Sequence, residues 1–320
     1  IGAGPAGLSC AFYLAQMGYE NVTVFDRNPV PGGMLTLGIP SFRLEKNVVE
    51  AEIDVLREMG VKFECGVEIG KDKTLQQLRD EGYQGFYLAI GAQKSAKLRV
   101  PGEDLDGVWG GVDFLREVNL GRKVNIGKRV AVVGGGNVAI DVVRTAIRQG
   151  AASITQIELL PQVTAAQHII DPIPGRPHEQ KFDASQEEHL TKFLRDPHIY
   201  QATVKSVETD EAGSLACAAV VHMEKSYDKN RRLVMREIPG SEEKIPCGLI
   251  VIAAGFIGPE ARMAEAFGVE TNARSNIIGY ATNVEKIFAC GDCRTGQSLV
   301  VKAMVDGREC ADAVDEFLKK

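Results

Sequence analysis

The residues best placed by type and spacing to do chemistry are glycines and acids. Gly2, Gly4 and Gly7 make a G-x-G-x-x-G turn enclosing Pro5 and Ala6, and Gly134, Gly136 and Ala139 make a G-x-G-x-x-A turn enclosing Asn137 and Val138. Gly2 to Gly18 and Gly134 to Gly150 are both 16 residues, while Gly2 to Asp26 and Gly134 to Glu158 are both 24. In such a turn the first glycine permits the strand-to-helix reversal, the second lets backbone approach a pyrophosphate, and the third small residue lets helix pack on strand. The helix N-terminus offers unpaired N–H groups and the positive end of its dipole to the anion. The acid closing the next strand accepts hydrogen bonds from ribose hydroxyls. One such match is weak, because a glycine-rich turn without a ligand looks the same. Two in register, each with its acid, describe one supersecondary unit used twice.

These turns need strands and helices around them. LSCAFYLAQM (8–17) reads as a helix after the first turn and NVTVFD (21–26) as the strand that ends on Asp26. RVAVV (129–133) reads as the strand entering the second turn, IDVVRTAIRQ (140–149) as its helix and SITQIE (153–158) as the strand ending on Glu158. GLIVIAAG (248–255) and KIFACGD (286–292) read as further buried strands, and LVVKAMVDGRECADAVDEFL (299–318) as a helix with its N-terminus expected at Gln297-Ser298. The chain opens at Ile1 directly on a glycine turn, so the natural chain is expected to begin earlier, with most of the first strand upstream. The fold class that follows is α/β with two Rossmann-like dinucleotide-binding domains. Two dinucleotide sites on one chain suggest a flavin and a nicotinamide nucleotide, since hydride passes between such rings stacked at about 3–3.5 Å. A strand, then Gly291-Asp292, then a helix N-terminus would supply a carboxylate for a ribityl or phosphate-adjacent hydroxyl and N–H groups for the pyrimidine edge of a flavin.

Cys290 and Cys293 flank Gly291-Asp292, and their C-x-x-C spacing admits a redox dithiol, half of a metal site, or incidental thiols beside the carboxylate. A reactive thiolate needs nearby cations, and only Arg294 is at hand. A zinc site needs two more ligands in similar pairing, and the other five cysteines form no second C-x-x-C. Incidental thiols are the best reading. The five histidines, 168, 178, 189, 198 and 222, lie mid-chain with Asp171, Glu179 and Glu188 but at irregular spacing, which favours packing or loop roles over a metal or acid–base site. The proline-rich run DPIPGRPHEQ (171–180), with Arg176, reads as a loop over the nucleotide or a partner surface. No G-x-S-x-G elbow appears. With 37 basic and 43 acidic residues the net charge is −6, so neither nucleic acid nor anionic lipid is an expected partner. No apolar run reaches membrane-spanning length, and the seven scattered cysteines fit reduced thiols in a cytoplasmic protein. No side chain is named as catalytic, because hydride transfer between cofactors needs no general base.

The stretches IGAGPAGLSCAFYLAQMG (1–18), PGGMLTLGIPSFRLEK (31–46), GFYLAIGA (85–92), VVGGGNVAIDVVRTAIRQGA (132–151), IELLPQ (157–162), AAGFIGPE (253–260) and FACGDCRTGQSLVVKAMVDGR (288–308) together resemble the FAD/NAD(P)H module of the glutamate synthase small (beta) subunit family. The resemblance covers nearly the whole chain. It implies a discontinuous FAD domain, 1–98 and 256–320, with an NAD(P)H domain, 99–255, inserted between LRVPGEDLDGVWG (98–110) and GFIGPE. It implies that Gly2, Gly4, Pro5, Ala6 and Gly7 hold the FAD pyrophosphate, that Asp26 and Arg27 meet its ribose, and that Gly32, Gly33 and Met34 run along the flavin. Arg43, Val67, Ala89 and Gly91 would complete that pocket, and Gly291, Asp292, Gln297, Ser298, Leu299 and Val300 would clamp the flavin. Gly134, Gly136, Asn137, Val138, Ala139 and Glu158 would serve NADH or NADPH, and Gly255, ending the GLIVIAAG strand, would be a further cofactor-binding residue.

The activity implied is NAD(P)H oxidation by FAD, with electrons passed to an iron–sulfur domain or to the large glutamate synthase subunit. Family members usually carry an N-terminal helical iron–sulfur domain, and this sequence has no such cysteine cluster. Where some relatives have an Arg-Arg pair for a 2′-phosphate, Leu159-Leu160 follow Glu158, so NADH is expected over NADPH. The alternatives are a free-standing NAD(P)H:acceptor reductase and a fragment that binds nucleotide without flavin.

Overall fold

The computed structural model describes residues 1–162, 184–227, 229 and 233–319. The chain forms two compact units, one made of residues 1–94 and 256–320, the other of residues 95–255.

The first unit opens with α1 (Pro5–Gln16), whose N-cap is Gly4 and whose first position is the proline expected at a helix start. Then come β1 (Thr23–Asp26), the single turn α2 (Met34–Leu37) and α3 (Lys46–Glu58). Helix α3 buries Val49, Ile53 and Leu56, the spacing of one helical face. β2 (Lys62–Cys65) follows, then α4 (Leu75–Asp80), started by a capping box between Thr74 and Gln77, and β3 (Phe86–Leu88).

The second unit begins with β4 (Val108–Gly110) and α5 (Gly111–Asn119), then β5 (Arg129–Val133), α6 (Asn137–Arg148) and β6 (Ser153–Glu158). After α7 (Ala184–Phe193) and β7 (His198–Tyr200) the chain enters a run of strands, β8 (Ala202–Thr209), β9 (Leu215–Tyr227), β10 (Leu233–Glu237) and β11 (Glu243–Pro246), before β12 (Leu249–Ile252). A five-stranded parallel sheet runs β4-β12-β5-β6-β7, and β8, β10 and β11 all pair antiparallel with β9. In the parallel sheet, Val130, Val132, Leu249 and Val251 enter one core with α5 and α6, while Ala131, Val133, Ile250 and Ile252 enter another with β8 and β9. Both faces are covered, as a parallel sheet requires.

The chain then returns to the first unit with α8 (Ala261–Phe267), β13 (Ile287–Ala289), the short α9 (Asp292–Thr295) and α10 (Val300–Leu318). β1 pairs in parallel with β2, and β3 with β13. Residues 1 and 2 stitch these pairs together. The Gly2 N–H donates to Phe25 O at 2.7 Å, the Ile1 amino group to Tyr87 O at 2.7 Å, and the Ala89 N–H to Ile1 O at 2.8 Å. Val24, Tyr87 and Phe288 pack on α1 and α10, while Phe25, Leu88 and Ile287 pack with α8 on the opposite face.

The strands RVAVV and SITQIE match β5 and β6 residue for residue. Two differences concern the clamp segment. A separate short helix, α9, begins at Asp292, and the long helix starts at Val300 with Leu299 as N-cap, later than the start expected at Gln297-Ser298. The reason is Gly296, at φ +80, which ends the short helix and breaks continuity between the two.

Candidate dinucleotide-binding sites

In the first unit a cleft of about 290 Å³ opens where the Gly2 turn, the end of β1 and the segment around Asp292 converge. Gly2, at φ +107, makes the turn, and a Cβ there would lie 2.3 Å from Ala89 O. The second unit repeats this at Gly134, φ +121, where a Cβ would lie 2.5 Å from Ala253 O. In both units the neighbouring strand's backbone occupies the space a side chain would need. Gly7 lies under the first turn, where a Cβ would meet Gly2 O at 1.9 Å.

Asp26 is buried at the cleft edge and makes three hydrogen bonds. Its Oδ2 accepts the Ala3 N–H at 2.7 Å, and its Oδ1 accepts the Asn28 N–H at 2.7 Å and Asn28 Nδ2 at 2.8 Å. An ionised carboxylate has about four lone-pair sites, so capacity remains for a ligand hydroxyl. The first turn of α1 carries no acidic residue and no side-chain cap, which leaves its N–H groups and dipole available to an anion. A Cβ on Gly33 would strike Gly4 Cα at 2.6 Å, so two backbone segments meet beside that helix start with room for a ligand but not for a side chain. These features fit a dinucleotide with a flavin.

Pro5, Ala6, Arg27, Met34, Val67 and Ala89 line this cleft, as do Gly91, Gln297, Ser298, Leu299 and Val300. Gly7, Gly32 and Gly291 are buried behind the lining; a Cβ on Gly291 would reach Ala6 Cβ at 2.6 Å, so its role is close packing of the clamp on α1. Arg43, expected in this pocket, is exposed and does not line the cleft. Arg27 pairs with Glu260 at 2.6 Å, and Arg262 pairs with Glu68 at 2.6 Å and Glu260 at 2.7 Å, forming a rim of ion pairs. Burial opposes the charge on Glu260, but Arg27 and Arg262 hold its carboxyl below the usual range. Asp292 faces the cleft, and Ser298 Oγ donates to its Oδ1 at 3.3 Å. Burial pushes the Asp292 carboxyl up, Ser298 opposes this, and the Asp306 charge adds to the rise.

Sequence reasoning missed several members of this site. Asn28, Glu68, Phe256 and Met263 also line the cleft. Asp306, buried within α10, accepts the Gly291 N–H and pairs with Arg294, whose guanidinium lies 3.8 Å from the Tyr280 ring centroid; Tyr280 also donates to Asp306 at 2.8 Å. This network holds the Gly291-Asp292 turn. Its signal in the sequence was an acid on an otherwise apolar helical face.

The two C-x-x-C thiols separate into different cores. Cys290 packs with Cys10 and Cys310 between α1 and α10, and Cys293 packs in the core with Phe25 and Ile287. Cys293 Sγ donates to Leu88 O at 3.3 Å, and burial pushes its thiol up to about 12. Both thiols are free and fully buried, which suits packing rather than exchange chemistry. Among the described residues no cluster of three or more His, Cys, Asp or Glu could hold a metal ion.

In the second unit α6 also starts without a side-chain cap or an acid in its first turn, and a Cβ on its N-cap Gly136 would meet open space. Gln156 Nε2 donates to Gly134 O at 2.9 Å and braces the turn from below. Ala139 is fully buried against the sheet, Asn137 and Val138 open the helix, and Gly255 O accepts the Ala96 N–H at 2.9 Å at the unit's edge. Glu158 is buried, its Oε1 accepts the Leu160 N–H at 2.8 Å, and its β7 neighbour in register is Tyr200. Burial, with Asp196 and Glu158 adding, pushes the Tyr200 phenol up to about 12. These residues fit a second dinucleotide.

The described histidines have packing roles. His189 Nδ1 lies 2.9 Å from Arg195 O, His198 meets Asp196 at 2.6 Å and stacks on Tyr200, and His222 lies 3.3 Å from Glu243. Glu188 pairs with Arg144 at 2.6 Å. His168, His178, Asp171, Glu179 and Arg176, with the proline-rich run, lie outside the described residues.

Residues 1–307 match the family model described as pyridine nucleotide-disulphide oxidoreductase. The chain belongs to this family. Among its relatives, the glutamate synthase [NADPH] small chain of Bacillus subtilis (strain 168) is 38% identical over 331 residues, covering 99% of this chain and 67% of that protein. Glutamate synthase [NADH] of Schizosaccharomyces pombe is 36% identical, covering 98% of this chain. The chain thus spans about two thirds of the bacterial small chain and 16% of the fission-yeast protein. A solved structure of Mycobacterium tuberculosis FprA in complex with NADPH superposes with a TM-score of 0.75 at 17% identity, covering 99% of this chain and 83% of that one, a likeness of fold. This family member is an NAD(P)H-dependent flavoprotein oxidoreductase resembling the glutamate synthase small subunit, with FAD and NAD(P)H as its cofactors. Its architecture is α/β with two Rossmann-like dinucleotide domains. Among the described residues no helix is long and apolar enough to cross a membrane.

Proposed function

We propose that the first unit holds FAD in the cleft edged by Asp26 and Asp292, that the second unit holds NADH at the Gly134 turn, and that electrons leave for an iron–sulfur or large-subunit partner in glutamate synthesis. The observation that carries this reading is the repeated geometry: two glycine turns, each opening an uncapped helix and each followed 24 residues later by a buried acid. When bound, FAD supplies the two-electron acceptor for a nicotinamide hydride. The chain's own residues bind and orient. The α1 N-terminus attracts the pyrophosphate, Asp26 receives ribose hydroxyls, Asp292 receives a hydroxyl of the flavin chain, and the uncapped start of α10 offers N–H groups to the ring edge. Glu158 does for the nicotinamide nucleotide what Asp26 does for FAD. Its carboxylate accepts from a 2′-hydroxyl and repels a 2′-phosphate, and the exposed Leu159 and Leu160 supply no compensating cation.

The purified chain should be yellow, be bleached anaerobically by NADH and reduce dyes, but form no glutamate from glutamine and 2-oxoglutarate. Asp292→Ala should lower flavin affinity about tenfold, roughly the worth of one charge-assisted hydrogen bond. Cys290→Ala with Cys293→Ala should leave NADH-to-dye turnover largely intact. Loss of turnover in that double variant with flavin still bound would restore the dithiol reading, and a colourless wild type would remove the flavin assignment.

A further inference from the structure

The residue between the two glycines of each turn differs, Ala3 in the first and Gly135 in the second. Nothing in the backbone of Gly135 demands glycine, since it lies outside the left-handed region. What demands it is Glu158. A Cβ built on Gly135 would lie 1.7 Å from Glu158 Oε2, 2.6 Å from Cδ and 3.3 Å from Cγ. The carboxylate is folded onto that α-carbon, with Oε1 accepting the Leu160 N–H two residues ahead at 2.8 Å.

The first unit solves the same problem with a shorter acid. Asp26 accepts the Ala3 N–H at 2.7 Å through one oxygen and the N–H two residues ahead, that of Asn28, at 2.7 Å through the other. Ala3 is fully buried there, so its methyl is accommodated. Middle residue and acid length are therefore matched, alanine with aspartate and glycine with glutamate.

We propose that Gly135 is a positioning residue: by lacking a side chain it seats the Glu158 carboxylate over the turn, and so sets the discrimination between a ribose 2′-hydroxyl and a 2′-phosphate. The proposal rests on Glu158 being the ribose acid. The atoms that a Cβ at 135 would strike are the far end of a flexible side chain, so Gly135→Ala displaces the carboxylate rather than the fold.

The test uses the FAD-loaded protein and the oxidised nucleotides NAD⁺ and NADP⁺, so that binding is measured by calorimetry without reduction, together with the ¹⁵N amide signal of Leu160. Gly135→Ala should lower the NAD⁺-over-NADP⁺ affinity ratio at least about fivefold, a change of roughly 1 kcal/mol, and shift the Leu160 amide signal. Gly135→Ala with Glu158→Asp should regain both, because it reproduces the Ala3–Asp26 arrangement. An unchanged Leu160 signal in Gly135→Ala, or an unchanged ratio there while Glu158→Gln alters it, overturns the positioning role. An unchanged ratio in Glu158→Gln instead overturns the ribose reading, and the Leu160 signal then decides the seat by itself. If Gly135→Ala does not fold, a folded double variant supports the matching, and an unfolded one overturns it.

Discussion

The two units use the same turn but secure their acids differently. In the first, Asp26 is tied by three hydrogen bonds, two of them to Asn28, and is part of the unit's internal scaffolding as well as its cleft. In the second, Glu158 is held by the Leu160 N–H and lies against a residue chosen for its absence of side chain. A short, heavily bonded acid suits a cofactor that stays, since its geometry is set before the ligand arrives. A longer acid with fewer ties suits a nucleotide that enters and leaves on every turnover.

The comparison is sharpened first where the units are alike. Gly2→Ala and Gly134→Ala each place a Cβ within 2.3 or 2.5 Å of a neighbouring carbonyl oxygen at positive φ. Each should cost about 3 kcal/mol or more, and differential scanning calorimetry should show the transition of the altered unit moving while the other holds. Equal tolerance of both substitutions would mean that the turns are not the fixed points of their units.

The acids should then separate the units. Asp26→Ala leaves three buried or half-buried donors without their acceptor and should cost about 3 kcal/mol with loss of FAD. Glu158→Ala leaves the Leu160 N–H and should cost about 1 kcal/mol. Urea titration followed by circular dichroism checks the difference. If Glu158→Ala proves as damaging as Asp26→Ala, the contrast between the two acids is broken.

The smallest effect is expected from pH. All five histidines fall in the inserted unit and none in the other. Burial lowers the His189 pKa from its ordinary 6.5, with the Arg195 carbonyl opposing. As pH falls the unfolded chain takes up this proton first, so the stabilisation is complete above pH 6.5 and fades as pH drops through the lower folded value. Between pH 7 and 5 the inserted unit should lose up to about 1.4 kcal/mol per pH unit from this group, and His189→Phe should blunt the loss. Calorimetry at the two pH values reads it; equal sensitivity of both units would remove His189 as the cause.

Much of this protein is legible in the sequence because the decisive signals are local. The glycine turns, their fixed distance to Asp26 and Glu158, and the apolar runs that became β5 and β6 all depend on neighbours within about one βαβ unit, where hydrophobic period and turn chemistry act directly. The antiparallel strands β8 to β11 gave no comparable signal, since their pairing on β9 joins segments whose alternation is weak; Leu215–Tyr227 shows three part-buried residues in a row before alternation begins.

By itself the sequence determined the two nucleotide turns, their acids, the α/β class and the family resemblance, because glycine at positive φ and an acid at strand end are requirements written at single positions. Only the tertiary structure decided that Cys290 and Cys293 enter different cores, that Asp306 and Arg294 hold the Asp292 turn, that Phe256 and Met263 reach the Gly2 cleft, and that Gly135 must make way for Glu158. Those outcomes depend on contacts between segments far apart in the chain, whose distances are set by packing both faces of a sheet rather than by any residue's own preference.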